Sequence, residues 1–165
     1  MSIKIRPVTT DDHTWVVDFL ENVAHSVRVV SRGVLHEPGH LPGFVGLYNG
    51  RPGALLTYHI VHEELEVVTL HSAIAGKGLG SALLQAARDV AIAHSCRRLW
   101  LITTNDNTRA MRFYQKRGMV IAAVHVNALA FSRTLKSEIP LIGNDGIPLR
   151  DEIEFEYPLS FTEKS

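Results

Sequence analysis

The stretch Gly76-Lys-Gly-Leu-Gly-Ser-Ala-Leu-Leu84 sets three glycines at alternate positions, then runs into apolar residues at helical spacing: Leu79, Leu83, Ala86 and Val90. Glycine loses more conformational freedom on folding than any other residue, and a turn needs only one. Three of them suggest a loop that presents bare N–H groups to a ligand. The start of a helix adds unpaired donors and partial positive charge, which suits a phosphate or pyrophosphate. A tight turn without a ligand is the alternative. Two nucleotide-binding patterns fit badly. A P-loop needs Ser or Thr after Gly-Lys, but Gly78 follows Lys77. The dinucleotide fingerprint needs Gly or Ala where Ser81 stands, and it follows a first parallel strand.

The segments ahead of the loop read instead as hairpins. Phe44-Val-Gly-Leu-Tyr48 meets Asn49-Gly50, a strong hairpin pair, and residues 54–60 return. A third strand, 64–71, follows the polar turn His62-Glu63. Nearer the N-terminus, Ile3 and Ile5 mark a short strand, and Thr9 with Asp12 resembles a helix-start box. Trp15, Val16, Phe19, Leu20 and Val23 then recur at helical spacing. Residues 26–41 carry mixed signals and are read as a short helix and a loop. After the glycine loop and its helix, residues 98–103 form a nearly continuous apolar run, the kind buried on both sides of a sheet. Residues 108–117 read as a helix closed by Gly118, and 119–126 as a strand. Ile153, Phe155 and Tyr157 alternate with Glu152, Glu154 and Glu156 in a last strand that Pro158 ends. The order is mixed α/β.

A chain of 165 residues is long enough to bury one sizeable core. Its 17 basic and 17 acidic residues cancel, so no global field draws it to nucleic acid or an anionic membrane. The single cysteine, Cys96, cannot form an internal disulfide. No apolar run reaches membrane-spanning length, and the first residues lack a signal-peptide pattern. A cytoplasmic protein is expected.

Asn107 to Met119, NTRAMRFYQKRGM, supplies a second signature. Together with GKGLGSALL it resembles the GNAT superfamily of acyl-CoA-dependent N-acyltransferases. The family's first motif is Q/R-x-x-G-x-G/A opening a helix, and its second is N-x-x-A-x-x-F/L-Y-x-x-x-G-F. Asn107, Ala110, Phe113, Tyr114 and Gly118 match the second, with Met119 in place of the final Phe. Ala75 stands where the family usually has Gln or Arg, and the segment LHSAIAGKG is two residues shorter than usual. The resemblance implies a mixed, mostly antiparallel central sheet flanked by helices, in one N-acetyltransferase domain over residues 1–165. It implies transfer of an acetyl group from acetyl-CoA to a primary amine by direct attack in a ternary complex, without a metal. A non-catalytic acyl-CoA-binding sensor or subunit is the alternative. The acceptor, a small molecule or a protein amine, stays open, as does the oligomeric state.

The resemblance also assigns roles. Pantetheine pairs with backbone around Leu70 and Ser72. Gly76, Lys77, Gly78, Gly80 and Ser81 present amides to pyrophosphate, and Asn107 hydrogen-bonds the pantetheine arm. Tyr114 matches the general acid for the departing thiolate, although it equally continues the inward stripe of Ala110 and Phe113. Glu66 is the candidate base, because a carboxylate inside a central strand is desolvated and so favours taking up a proton. Glu64, His71 and a water chain compete with it, and an exposed acid on a splayed strand is the plain alternative. Glu152, Glu154 and Glu156 read either as an acidic wall for a cationic acceptor or as the wet face of a strand. Arg109, Arg112, Lys116 and Arg117 read as a solvated basic face or as a hold on the 3′-phosphate. Residues 127–150 are read as a helix and loop over the acceptor site.

His36-Glu-Pro-Gly-His40 matches the zinc-hydrolase signature H-E-x-x-H in letters. That signature needs one helix through all five residues, and an interior Pro38 costs ~3 kcal/mol and Gly39 about 1. The stretch is read as a turn. The other histidines show no metal-site spacing, and Cys96 has no visible activator.

Overall fold

Tight turns set the register of the strands in the first half of the chain. The computed structural model describes residues 2–159. It runs β1 (Ile3–Pro7), α1 (His13–Ala24), β2 (Val29–Ser31), β3 (Val34–His36), β4 (Gly43–Tyr48), β5 (Arg51–Val61) and β6 (Glu64–Ser72). It continues with α2 (Leu79–Ala93), β7 (Arg98–Thr104), α3 (Thr108–Lys116), β8 (Val120–His125), α4 (Ala128–Leu135) and β9 (Glu152–Pro158). Seven strands form one sheet in the order β1-β4-β5-β6-β7-β9-β8, and β2-β3 is a separate hairpin. Every neighbouring pair in the large sheet is antiparallel except β6 and β7, which α2 connects in parallel. The expected mixed, mostly antiparallel architecture is the one observed.

The two faces of the sheet are covered differently. On one, α2 buries Leu79, Leu83, Leu84, Ala87 and Ala91 against Leu56, Leu65, Leu99 and Phe155. On the other, α1 presses Val16, Phe19 and Leu20 onto Leu55. The start of α1 is tied down as its sequence suggests: Asp12 accepts from the Thr9 N–H and pairs with Arg6, both at 2.8 Å. Among the described residues no helix is long and apolar enough to cross a membrane.

Three readings need correction. Residues 26–41 hold the β2–β3 hairpin, and their only helical piece among the described residues is a 3₁₀ turn at Pro38–His40. Arg32 (φ +48°) and Gly33 (φ +76°) make a two-residue left-handed turn, and the flanking Val29, Val30 and Val34 favour strand. β7 is not buried on both faces: Leu99, Leu101 and Thr103 are buried, while Arg98, Trp100, Ile102 and Thr104 are half-buried. The glutamates of β9 are neither a free acidic wall nor a wet face. Glu152 pairs with Arg32 (3.0 Å), Glu154 with Arg98 (2.6 Å) and His125 (2.8 Å), and Glu156 with Arg98 (2.9 Å). Glu152 and Glu154 are buried. Burial opposes the Arg98 charge, but hydrogen bonds to Glu154, Glu156 and Glu64 outweigh it and raise the pKa.

The stretch between β8 and β9 is a helix followed by a loop, as read. A few polar contacts hold it. Arg133 donates to the carbonyls of Ile139, Pro140 and Leu149, and buried Asp106 accepts from the Asn144 N–H. Arg28 and Lys136 tie it to the chain ahead of β2, through Glu138 and the Arg28 carbonyl respectively.

Phe155 has no exposed surface and packs its ring 5.8 Å from that of Tyr114. Phe155→Ala is expected to cost about 3–5 kcal/mol, read as a lower midpoint in urea denaturation.

Candidate active site

The parallel ladder between β6 and β7 stops early. It pairs Glu64–Arg98, Leu65–Leu99, Glu66–Trp100 and Val67–Leu101, although both strands go on, to Ser72 and Thr104. The cause lies on the opposite edge of β6. Thr57 pairs with Thr69 but Tyr58 with Val67, so Val68 is an extra residue, a bulge that bends the strand. Beyond it the backbone from Val68 to Ser72 has no partner in β7. The two strands splay into a gap.

On the α2 side the gap opens into a cavity of about 260 Å³, lined by Leu70, Ser72, Gly80, Asn107, Arg109, Ala110, Phe113 and Tyr114. Five of the residues assigned a cofactor or catalytic role in the sequence therefore converge: Leu70, Ser72, Gly80, Asn107 and Tyr114. Gly76, Lys77, Gly78 and Ser81 do not line the cavity; they form the turn and first helical residues beside it. Gly78 is the N-cap of α2 at φ +80°, which a side chain resists, and it leaves the helix start without a side-chain cap. At Gly80 a Cβ would lie 3.2 Å from the Phe113 ring, a tight contact that would ask the ring to shift by a few tenths of an ångström. Lys77 sends its ammonium over the Tyr48 ring, so what it offers the loop is its backbone amide. Arg117 donates to the Ser81 hydroxyl (2.6 Å) and stacks on Phe113. Of the basic run, Arg109 alone reaches the cavity wall.

Asn107 has a structural task. Its Oδ1 accepts from the Ala110 N–H (3.1 Å) and caps α3, leaving its amide NH₂ as the group a ligand can meet. Tyr114 is buried against Phe113 and Phe155, and burial alone pushes its phenol up to about 12. Tyr114 thus continues the core stripe and also lines the cavity.

Glu66 points to the other face. It is 4% exposed, so it is no splayed, solvated acid. Its Oε2 accepts from the Ser31 hydroxyl (2.5 Å), and its Oε1 lies 2.8 Å from His59 Nε2 and 3.9 Å from His36 Nε2. A cavity of about 290 Å³ opens over this group, with Glu64, Arg32 and Trp100 on its walls. The competing Glu64 is bound by Arg97 and Arg98 at 2.8 and 3.1 Å. His71 is half-buried, and burial lowers its pKa. Burial first, and then the nearby His59, lower the pKa of His36 against the pull of Glu66. A third and larger cavity, about 550 Å³, lies on this same face between the start of α1 and residues 38–42, with Thr57 in its wall.

His59, His36 and Ser31 are the residues that sequence reasoning missed. His59 was accessible: a two-residue turn at His62-Glu63 pairs residue 59 with residue 66. His36 and Ser31 were not, because their place depends on how the β2–β3 hairpin docks. HEPGH is no helical zinc motif. Pro38 opens a short 3₁₀ turn, His36 lies outside it, and His40 is exposed beside Glu37. Nor are the histidines as scattered as their spacing implies, since His36 and His59 meet at Glu66.

The sequence pattern of the acetyltransferase (GNAT) family matches residues 9–119. The chain belongs to that family. It is an N-acetyltransferase whose co-substrate is acetyl-CoA. Over 116 residues it is 46% identical to the uncharacterized protein YdhI of Bacillus subtilis, covering 70% of this chain and 72% of that one. In fold it is similar to an IAA acetyltransferase from Bacillus cereus, with a TM-score of 0.75 and 20% identity over 96% of this chain and 100% of that one. It is also similar to a GNAT family acetyltransferase from Elizabethkingia anophelis with acetyl-CoA bound, at TM-score 0.70 and 20% identity over 95% and 98% of the two chains.

Asn107→Ala is expected to cost about 1 kcal/mol through the lost cap, a fall in Tm of about 2–4 °C. Asn107→Asp, which keeps the acceptor oxygen, should recover most of it.

Proposed function

We propose that the chain transfers acetyl from acetyl-CoA to a primary amine by direct attack in a ternary complex. The two substrates enter from opposite faces of the sheet. The observation that carries this reading is the β6–β7 gap, with Tyr114 on one side and Glu66 on the other. Acetyl-CoA lies in the Tyr114 cavity, its pyrophosphate on the amides of Gly76, Lys77, Gly78, Gly80 and Ser81. The pantetheine arm runs along the unpaired backbone at Leu70 and Ser72, within reach of the Asn107 amide. The amine approaches over Glu66.

The amine nitrogen attacks the thioester carbonyl, and the oxygen becomes an oxyanion that a backbone N–H of β6 can stabilise. Glu66, with His59 beside it, receives the proton that the amine loses. The C–S bond then breaks and the thiolate takes a proton from Tyr114. A thiolate formed against the apolar wall that raises the phenol is itself poorly solvated, so the transfer relieves a buried anion. A small molecule or a protein amine can serve as acceptor. A cytoplasmic setting suits a chain whose cysteine is free. The reading as a non-catalytic sensor is supported by Ala75 and the shortened loop; acetyl-CoA binding without thiol release to any amine would favour it.

Tyr114→Phe should bind acetyl-CoA as the parent does while turnover falls about 10²–10⁴-fold, followed by thiol release in an amine screen. Unchanged turnover would remove Tyr114 from the mechanism. With its pKa raised to about 12, the phenol loses its proton only as pH rises through that value, so turnover should show no descending limb from Tyr114 near pH 10.

A further inference from the structure

The Nε2 atom of His36 is buried without a hydrogen-bond partner, on a side chain 6% exposed. A buried nitrogen left unpaired is costly, and this one faces a carboxylate and a second imidazole. One ligand atom each from His36, His59 and Glu66 lies within 4.8 Å of the others. We infer that these three residues form a binding site for a divalent transition-metal cation, Zn²⁺ by preference, on the acceptor side of the sheet.

The ligand chemistry favours that class. Two neutral imidazoles and one carboxylate are a borderline set that suits Zn²⁺ or Co²⁺, whereas Ca²⁺ and Mg²⁺ want oxygens. Tetrahedral zinc with bonds of about 2.0–2.2 Å sets its ligand atoms roughly 3.3 Å apart. The separations of 2.8 Å (His59–Glu66) and 3.9 Å (His36–Glu66) bracket that value, and with all three atoms within 4.8 Å of one another the imidazoles close on the cation by side-chain rotation. The Ser31 hydroxyl holds the far carboxylate oxygen, as an outer-shell partner does in built metal sites. His36, His59 and Glu66 line one cavity with Trp100, through which water or an amine would reach a bound cation. On binding, the cation takes the place of the hydrogen bond between His59 and Glu66. If Glu66 is the base, which rests on the function proposed above, the bound cation inhibits transfer by occupying the oxygen that would accept the proton.

The test is a Co²⁺ titration of full-length, chelator-treated protein without a histidine tag, followed by the visible d–d absorption of four-coordinate cobalt. One equivalent is expected to give the band. His36→Asn is expected to weaken it by more than the about 10–100-fold that outer-shell losses cost. Acetyl-CoA binding reports that the variant is folded. If His36→Asn does not fold, His59→Asn, at a partly exposed position, takes its place. No band, or a band that survives the substitution, overturns the site. Cobalt bound with amine-dependent thiol release undiminished keeps the site and overturns the role of Glu66 as base. Loss of turnover in Glu66→Gln, with no cobalt bound by the parent protein, does the reverse.

Discussion

A parallel ladder that breaks after four residue pairs is the constraint on which the site depends. Sheets close their hydrogen bonds wherever they can, because an unpaired buried backbone group is costly. Here Val68 prevents closure by adding one residue to β6 on the side facing β5. The strand bends, its next residues lose β7, and a slot opens through the middle of the sheet. The glycine loop lies at the end of the same bent strand, so the turn that suits phosphate and the slot share one origin.

The slot joins two surfaces of opposite character. On the α2 side Tyr114 sits among apolar side chains, and its phenol is held neutral by that setting. On the other, polar and charged groups line up in register: His59 and Glu66, then Glu64, Arg98, Glu154 and Glu156. Taking these charges from water is expensive unless each is paired. Arg98 meets that need with three carboxylates at once and lies over Trp100, which fills the row between it and the slot. Among the described residues the His36 imidazole has a buried Nε2 without a hydrogen bond, and it stands against His59 and Glu66.

Much of this was legible in the residues, for reasons that are local. Gly78 announces the turn into α2 because its backbone angle favours glycine. Asn107, Phe113 and Tyr114 keep helical spacing, so their convergence on one side of α3 follows from the sequence. His59 could have been placed opposite Glu66 by counting back from His62-Glu63. The bulge could not, since Val68 is an ordinary strand residue and the extra position shows only against its partner strand. The β2–β3 hairpin was misread because it is six residues of strand around Arg32-Gly33, too short for periodicity to speak. The β9 glutamates looked solvated because their cations, Arg32, Arg98 and His125, lie far away in the chain.

The stretch from α4 to β9 is fastened by Arg133, Asp106 and Arg28 at a handful of atoms, several of them backbone carbonyls or amides whose identity does not depend on the residue that carries them. Such fastenings ask little of the side chains between them. The register of β8 against β9 is set by the strands themselves, with Ile121 opposite Phe155 and Val124 opposite Ile153. Descent with change can therefore rewrite the strap while the sheet beneath it stays still.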